Sequence, residues 1–191
     1  MKRPEEVLVT NQVRGFPGSG THGKLDTETG ALLGMEFETH MINKGSSFTS
    51  AYTVELANSA VIDILIVTPN TTKWAHMQYA LLSELETDLK FYEDTVTTGD
   101  GTGLAEYNKN RNSAVTATTV VSYTPTVAGG AEGTLLRNKH FGSGKTTCGD
   151  TRALHEWVLK QNAKYMLRIT NATTSVNWVT IILDWYEHTN A

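Results

Sequence analysis

The chain has 191 residues, is 39% hydrophobic and carries a formal net charge of −4, so it can bury one substantial core but is short for two generous domains. With no excess of Lys or Arg to neutralise a phosphate backbone, nucleic acid is not expected as its main ligand. Its 29 threonines, 12 asparagines and 16 glycines against four prolines favour strands joined by polar turns, because β-branched side chains fit a pleated surface and Asn and Gly fit turns.

Residues 1–36 hold six of the 16 glycines, scattered charges and isolated apolar residues such as Val9, Val13, Phe16 and Leu25, without helical or strand periodicity. This reads as an extended arm, with a folded domain over 37–191. So little apolar surface does not offset the entropy of ordering, so the arm is expected to be held by a neighbouring chain rather than folded back. The opening MKRPEEVLVTNQVRGF lacks the apolar run of a secretory signal, which predicts synthesis in a cytoplasm.

From Met35 onward, short strand-like runs alternate with turn clusters, the pattern of a sandwich or barrel. Strands are predicted over 50–56, 61–68, 89–96, 114–123 and 133–138. The stretch 74–85 satisfies two periods: Trp74, Met77, Leu81 and Leu85 fit a helical face, whereas Ala75, Met77, Tyr79 and Leu81 alternate. We favour the strand. Further strands are expected over 155–159, over 164–170 after a Gln161-Asn162-Ala163 turn, and over 176–187. The longest apolar runs, 61–67 and 179–183, fall far short of the roughly 20 residues of a membrane span, so no membrane partner is expected.

The last strand is partly apolar on both faces. Val179, Ile181, Leu183 and Trp185 share one; Trp178, Thr180, Ile182, Asp184 and Tyr186 share the other. The second face is either buried within the protomer or meets another subunit, which makes Trp178, Ile182 and Tyr186 candidate interface residues.

Catalytic and metal motifs find little support. Gly142-Ser143-Gly144-Lys145-Thr146 resembles the tail of a phosphate-binding loop, but Lys139 stands where the pattern needs its first glycine, and Thr147-Cys148-Gly149-Asp150 is a further turn rather than a helix start. His22, His40, His76, His140, His155 and His188 lie singly, without zinc-ligand spacing, and are expected at the surface or at strand ends. Glu84, Glu86 and Asp88 alternate and would share a strand face, best read as a solvated one. The loop 97–103 lacks calcium-ligand spacing and reads as a turn. Cys148, the lone cysteine, has no activating neighbour and no disulfide partner. No catalytic residue, metal ligand or cofactor is therefore expected, and no enzymatic activity. Trp74, Tyr107, Trp157 and Trp178 offer rings that stack on sugars, though such residues more often fill cores or interfaces.

A resemblance covers roughly residues 61–188. LKFYEDTVTTGDGT (89–102), NKNRNS (108–113), GTLLRNKHFGSGK (133–145), EWVLKQNAKYMLRITN (156–171) and IILDWYEH (181–188) resemble, in the same order, motifs of a group of tailed-bacteriophage virion structural proteins. Gln161 replaces a common proline, Ala163 departs from the pattern, and Asp94 stands where the group tends to have glycine; these changes touch turns. The resemblance implies a mainly β, jelly-roll-like antiparallel sandwich working as a capsid decoration (cement) protein on the capsid exterior, as a homotrimer bound to the major capsid protein. It brings no catalytic motif. In that picture Val9, Val13, Phe16 and Leu25 are apolar anchors of the arm on the capsid, and Arg3 and Arg14 pair with acidic capsid residues. The rival expectation is a receptor- or carbohydrate-binding module on a head fibre or tail.

Overall fold

The structure, a computed structural model, describes residues 24–25, 32–33, 37–142 and 156–189. The chain divides into two units, residues 1–37 and 38–191. Within the first, β1 (Lys24–Leu25) pairs antiparallel with β2 (Leu32–Leu33). The other expected anchors, Arg3, Val9, Val13, Arg14 and Phe16, lie outside the described residues, as does Cys148.

A helix that the sequence periodicity does not predict, α1 (Phe37–Asn43), precedes the strands. Its end is set by Gly45 at φ 75°, which lets Gly45 N–H reach the Ile42 carbonyl and Ser46 N–H the Met41 carbonyl, each at 2.9 Å. A side chain at Gly45 would collide with Ser113. Met41, 2% exposed, pins the turn inward.

Strands follow as β3 (Ser47–Leu56), β4 (Val61–Val67), β5 (Lys73–Ser83), β6 (Thr87–Glu93), β7 (Thr97–Gly99), β8 (Thr102–Gly103), β9 (Tyr107–Asn108), β10 (Val120–Tyr123), β11 (Thr126–Val127), β12 (Thr134–Phe141), β13 (Trp157–Leu159), β14 (Lys164–Asn171) and β15 (Asn177–Thr189). They form a six-stranded sheet, β12-β6-β14-β4-β10-β8, a five-stranded sheet, β13-β5-β15-β3-β9, and a small β11-β7 pair, all antiparallel. The expected β-sandwich class is thus observed. Along the chain β3, β4, β5 and β6 alternate between the two large sheets, and so do β12, β13, β14 and β15.

The core lies between the sheets. Ile62, Ile64 and Ile66 of β4, Leu89 and Phe91 of β6, and Tyr165, Leu167 and Ile169 of β14 face Met77, Tyr79 and Leu81 of β5 and Val179, Ile181, Leu183 and Trp185 of β15. Each set obeys the two-residue period, which is why 74–85 settles as a strand: its alternating residues fill a sheet face that a helix could not. Phe91 is the aromatic hub, with ring centroids 5.3 Å from Trp157, 5.5 Å from Tyr79 and 5.7 Å from Tyr165.

Several expectations are corrected. Of 114–123 only Val120–Tyr123 is a strand, because the backbone of Thr118 and Thr119 bonds to the Glu187 carboxylate instead of to a ladder. The segment 97–103 is more than a turn: Gly101, at φ 79°, separates β7, which pairs with β11, from β8, which pairs with β10. Glu84 and Glu86 do not share a strand face with Asp88; they sit in the bend between β5 and β6. The strand expected at 133–138 runs on to Phe141.

The outer faces of the two large sheets differ. On the six-stranded sheet, Leu65 and Met166 point away from the core yet are 0% exposed, and Lys164 and Arg168 beside them bond to Thr97, Asp100 and Glu132. The excursion between β6 and β12 therefore lies over that face.

Candidate functional site

The outer face of the five-stranded sheet is the candidate site, and register defines it row by row. Residues opposite each other across neighbouring strands point the same way with Cβ atoms about 5 Å apart. Trp178 stands opposite Glu55, Thr180 between Leu82 and Thr53, Ile182 between Ala80 and Ala51, Asp184 between Gln78 and Thr49, Tyr186 between His76 and Ser47, and His188 beside Trp74. The face is thus graded from an exposed indole, through a flat band of small residues, to a polar end.

Trp178 is 48% exposed, and Thr53 and Thr180 share a hydrogen bond at 2.9 Å between hydroxyls, which keeps the middle of the face level. Ile182 and Tyr186 are half-buried on the same face. The structure therefore places Trp178, Ile182 and Tyr186 together, as the alternation in β15 requires. Asp184, on that face too, is buried and meets Lys109 Nζ at 3.2 Å, and Lys109 also approaches Glu38 of α1 at 3.5 Å.

At the polar end lies a shallow hollow, open to solvent, bordered by His76, Glu156, Tyr186, Lys109 and Asp184 among others. His76 Nδ1 lies 2.6 Å from Glu156 Oε1, the Tyr186 hydroxyl donates to the same oxygen at 2.7 Å, and it lies 3.0 Å from His76 Nδ1. His188 Nε2 lies 2.9 Å from His76 Nε2. Burial alone would raise Glu156, but the bonds from His76 and Tyr186 outweigh it and hold the carboxyl below its usual range. Burial, reinforced by the neighbouring Glu156 carboxylate, pushes the Tyr186 phenol well above its ordinary value.

Sequence reasoning missed this network. The histidines lie singly along the sequence and nothing in their spacing points to a meeting, yet His76 and His188 converge because β5 and β15 pair with Tyr186 opposite His76, which leaves His188 one diagonal step away. The His-Thr ending of β15 offers no signal of it; only the register does. Among the described residues no group of three or more His, Cys, Asp or Glu is placed to hold a metal ion. No helix among them is long and apolar enough to cross a membrane.

The ring-bearing candidates separate. Trp157 packs its edge on Phe91, with the Arg137 guanidinium 5.0 Å above its ring, and so belongs to the core. Tyr107, 53% exposed, lies under Arg111 at 5.6 Å. Trp74 is half-buried beside His188. Asp88 bonds to His140 at 2.7 Å across β6 and β12, an exposed structural pair.

These features define a β-sandwich in which the excursion between β6 and β12 lies over one outer face and the other, among the described residues, is graded from apolar to polar. Compared with protein-family models and with curated proteins, the chain matches none.

Proposed function

We propose that this chain is a capsid decoration (cement) protein of a tailed bacteriophage, a non-enzymatic virion component with a jelly-roll-like sandwich that sits on the capsid exterior, binds the major capsid protein lattice through residues 1–36 and associates with itself as a trimer. What supports the reading is the run of motifs that resemble, in the same order, those of tailed-phage virion proteins. The LKFYED motif coincides with β6, GTLLRNKHF with β12, EWVLKQNAKYMLRITN with β13 and β14, and IILDWYEH with β15, so they mark the strands of one sandwich. Strands that alternate between two sheets along the chain are in keeping with a jelly roll. The graded face supports self-association, since Trp178, Ile182 and Tyr186 lie in line on it.

An extended arm buries large area per residue, and tethering it to an oligomer multiplies its hold on a repeating lattice. The test is a binding assay with capsids stripped of this protein. Removing residues 1–36 abolishes binding while tryptophan emission and circular dichroism of the remaining domain stay those of the whole chain. Undiminished binding by the truncated chain overturns the arm.

Exposure of Trp178 and Tyr107 favours a second reading, a receptor- or carbohydrate-binding module on a head fibre or tail. Calorimetric titration with host-surface glycans separates the two: heat that vanishes in Trp178→Ala or Tyr107→Ala supports the second, and its absence with all glycans leaves the first.

A further inference from the structure

Strand β3 is paired along its whole length on one side only. Against β15 it pairs without interruption from Ser47 to Leu56, whereas β9 covers only Phe48 and Thr49. Two bonds set the phase of the ladder: the Ser46 carbonyl accepts Glu187 N–H of β15, and the Ser47 carbonyl accepts Lys109 N–H from the chain after β9. Each residue of an antiparallel strand sends its N–H and C=O to the same neighbour, and consecutive residues alternate. Tyr52 and Val54 therefore face β15, while Ala51, Thr53 and Glu55 aim their backbone groups outward, beyond the end of β9. Among the described residues these outward groups meet no partner.

The edge stays open because the chain that could have covered it is held elsewhere. Leu104 N–H bonds to the Val121 carbonyl and the Glu106 carboxylate accepts Val121 N–H, so the segment after β8 is drawn to β10 of the other sheet and reaches β3 only at β9. Sheets blunt exposed edges with short strands, bulges, prolines or charged residues, lysine above all. Here β8, β9 and β13 are two or three residues long, and β12 is bulged between Leu135 and Arg137 and carries Arg137 and Lys139. The stretch Ala51-Tyr52-Thr53-Val54-Glu55 has no bulge, no proline and no lysine, and its three middle residues are strong strand formers.

A second copy of the same edge is its complement. Laid antiparallel with a twofold axis at Thr53, it sets Thr53 against Thr53 of the second copy, Ala51 against Glu55 and Tyr52 against Val54, the last two pairs repeated by symmetry. The outward-facing residues then exchange about six backbone hydrogen bonds. Glu55, the one charge on the edge, falls opposite alanine and not opposite itself. Half-buried Tyr52, stacked on Tyr123 at 4.4 Å, gains a β-branched cross-strand neighbour in Val54. On the outer face the Thr53–Thr180 hydroxyl pair continues into its symmetry mate. Other axes fit less well: at Tyr52 the pairing runs into the place of β9, at Val54 it takes Ala51 to Ala57 past the end of β3, and at Glu55 it opposes two carboxylates.

We propose that the open edge of β3 over 51–55 is a self-association site, at which a second copy of this chain adds its own β3 antiparallel about Thr53 and joins two five-stranded sheets into one continuous sheet. Strand edges of this length bury less than a standard interface, so the contact is weak and reversible unless other contacts hold the copies near each other. It lies on the edge of the sheet, apart from the face that carries Trp178, Ile182 and Tyr186, and it does not depend on the capsid role.

Sedimentation velocity of the full chain over a range of concentrations tests it. The wild type is expected to show a reversible doubling of its smallest species. Thr53→Lys and Thr53→Glu change an exposed side chain, leave the ladder to β15 intact and set like charges face to face on the axis, which weakens the doubling by roughly fivefold. Mixed one to one, the two variants bring opposite charges together and associate more tightly than either alone. Trp178→Ala leaves the doubling unchanged, which separates this contact from self-association on the sheet face. Absence of doubling in the wild type, wild-type behaviour of both Thr53 variants, or a mixture no tighter than either variant overturns the proposal. Should a Thr53 variant fail to fold, amide hydrogen exchange of the wild type decides. Protection of Ala51, Thr53 and Glu55 that rises with protein concentration supports the site, and exchange independent of concentration overturns it.

Discussion

Glu187, near the end of β15, reaches inward and accepts the backbone N–H of Thr119 at 2.8 Å. The same carboxylate accepts Thr118 N–H and the Thr118 hydroxyl, and the Trp185 indole N–H lies 3.2 Å away. A buried charge is tolerated here because several donors converge on it. One side chain thereby fixes a loop that would otherwise have continued β10 in the N-terminal direction. Glu187→Gln keeps the shape but turns one of the two accepting oxygens into an NH2 donor that faces N–H or O–H groups, and is expected to cost about 2–3 kcal/mol. Urea unfolding followed by tryptophan emission checks this; a change within error would show that water replaces the carboxylate without cost.

Arg168 of β14 grips Asp63 of β4 through Nε and Nη2, both at 2.9 Å, and touches Glu132 at 3.2 Å. The guanidinium matches the carboxylate with two parallel bonds, which a lysine cannot supply. Arg168→Lys is expected to lose roughly 1 kcal/mol, part of it by loosening the excursion that Glu132 belongs to. A double-mutant cycle with Asp63→Asn should give a coupling of similar size, and independence of the two substitutions would contradict the geometry.

Phe91 touches three aromatic rings and is 1% exposed. Phe91→Ala opens a cavity that stiff neighbouring strands cannot close and is expected to cost about 3–5 kcal/mol. Trp178→Ala, by contrast, removes a half-exposed ring and should leave stability within about 0.5 kcal/mol. Under the proposed function it weakens self-association in sedimentation, and an unchanged oligomer with that variant removes Trp178 from the interface.

Glu106 is raised above the ordinary carboxylate range, by burial first and by the like charge of Glu187, against the bond it accepts from Val121 N–H. A raised folded value means that ionising this group at neutral pH works against folding. Glu106→Gln keeps an acceptor for Val121 without the charge, and should raise thermal stability at pH 7 while making little difference near pH 4. Lower stability at pH 7 would show the carboxylate to be the better partner.

Glu93 and Asp100 are displaced the other way, Glu93 chiefly by the hydrogen bond from Lys160 and Asp100 chiefly by the one from Lys164. Their folded values lie below the unfolded ones, so they contribute stability that is complete above the ordinary carboxylate range, about pH 4, and is lost as pH falls through the folded values. Urea midpoints should hold between pH 7 and pH 5 and drop toward pH 3, more shallowly in Glu93→Gln. A midpoint insensitive to pH across that span contradicts both pairs.

Alternation makes the strands legible. Tyr165, Leu167 and Ile169, and Val179 through Trp185, are assigned to an inner face by their period alone, because a strand sends every second side chain to the same side. The same rule puts Trp178, Ile182 and Tyr186 on one surface. It fails where side chains, and not ladders, satisfy the backbone. The loop over 114–119 has strand-like composition but bonds to Glu187, a partner 69 residues from Thr118. Helix α1 is invisible for a related reason: at seven residues it has too few turns to show a period, and its stop depends on Gly45 packing against Ser113.

That this chain forms a β-sandwich follows from the order of its residues, since side-chain period and turn chemistry are local properties of the backbone. Which strands become neighbours is not local: it depends on how two sheets close over a shared core. That closure alone decides that His76 meets His188, that Glu156 seats between His76 and Tyr186, and that the excursion between β6 and β12 covers one outer face.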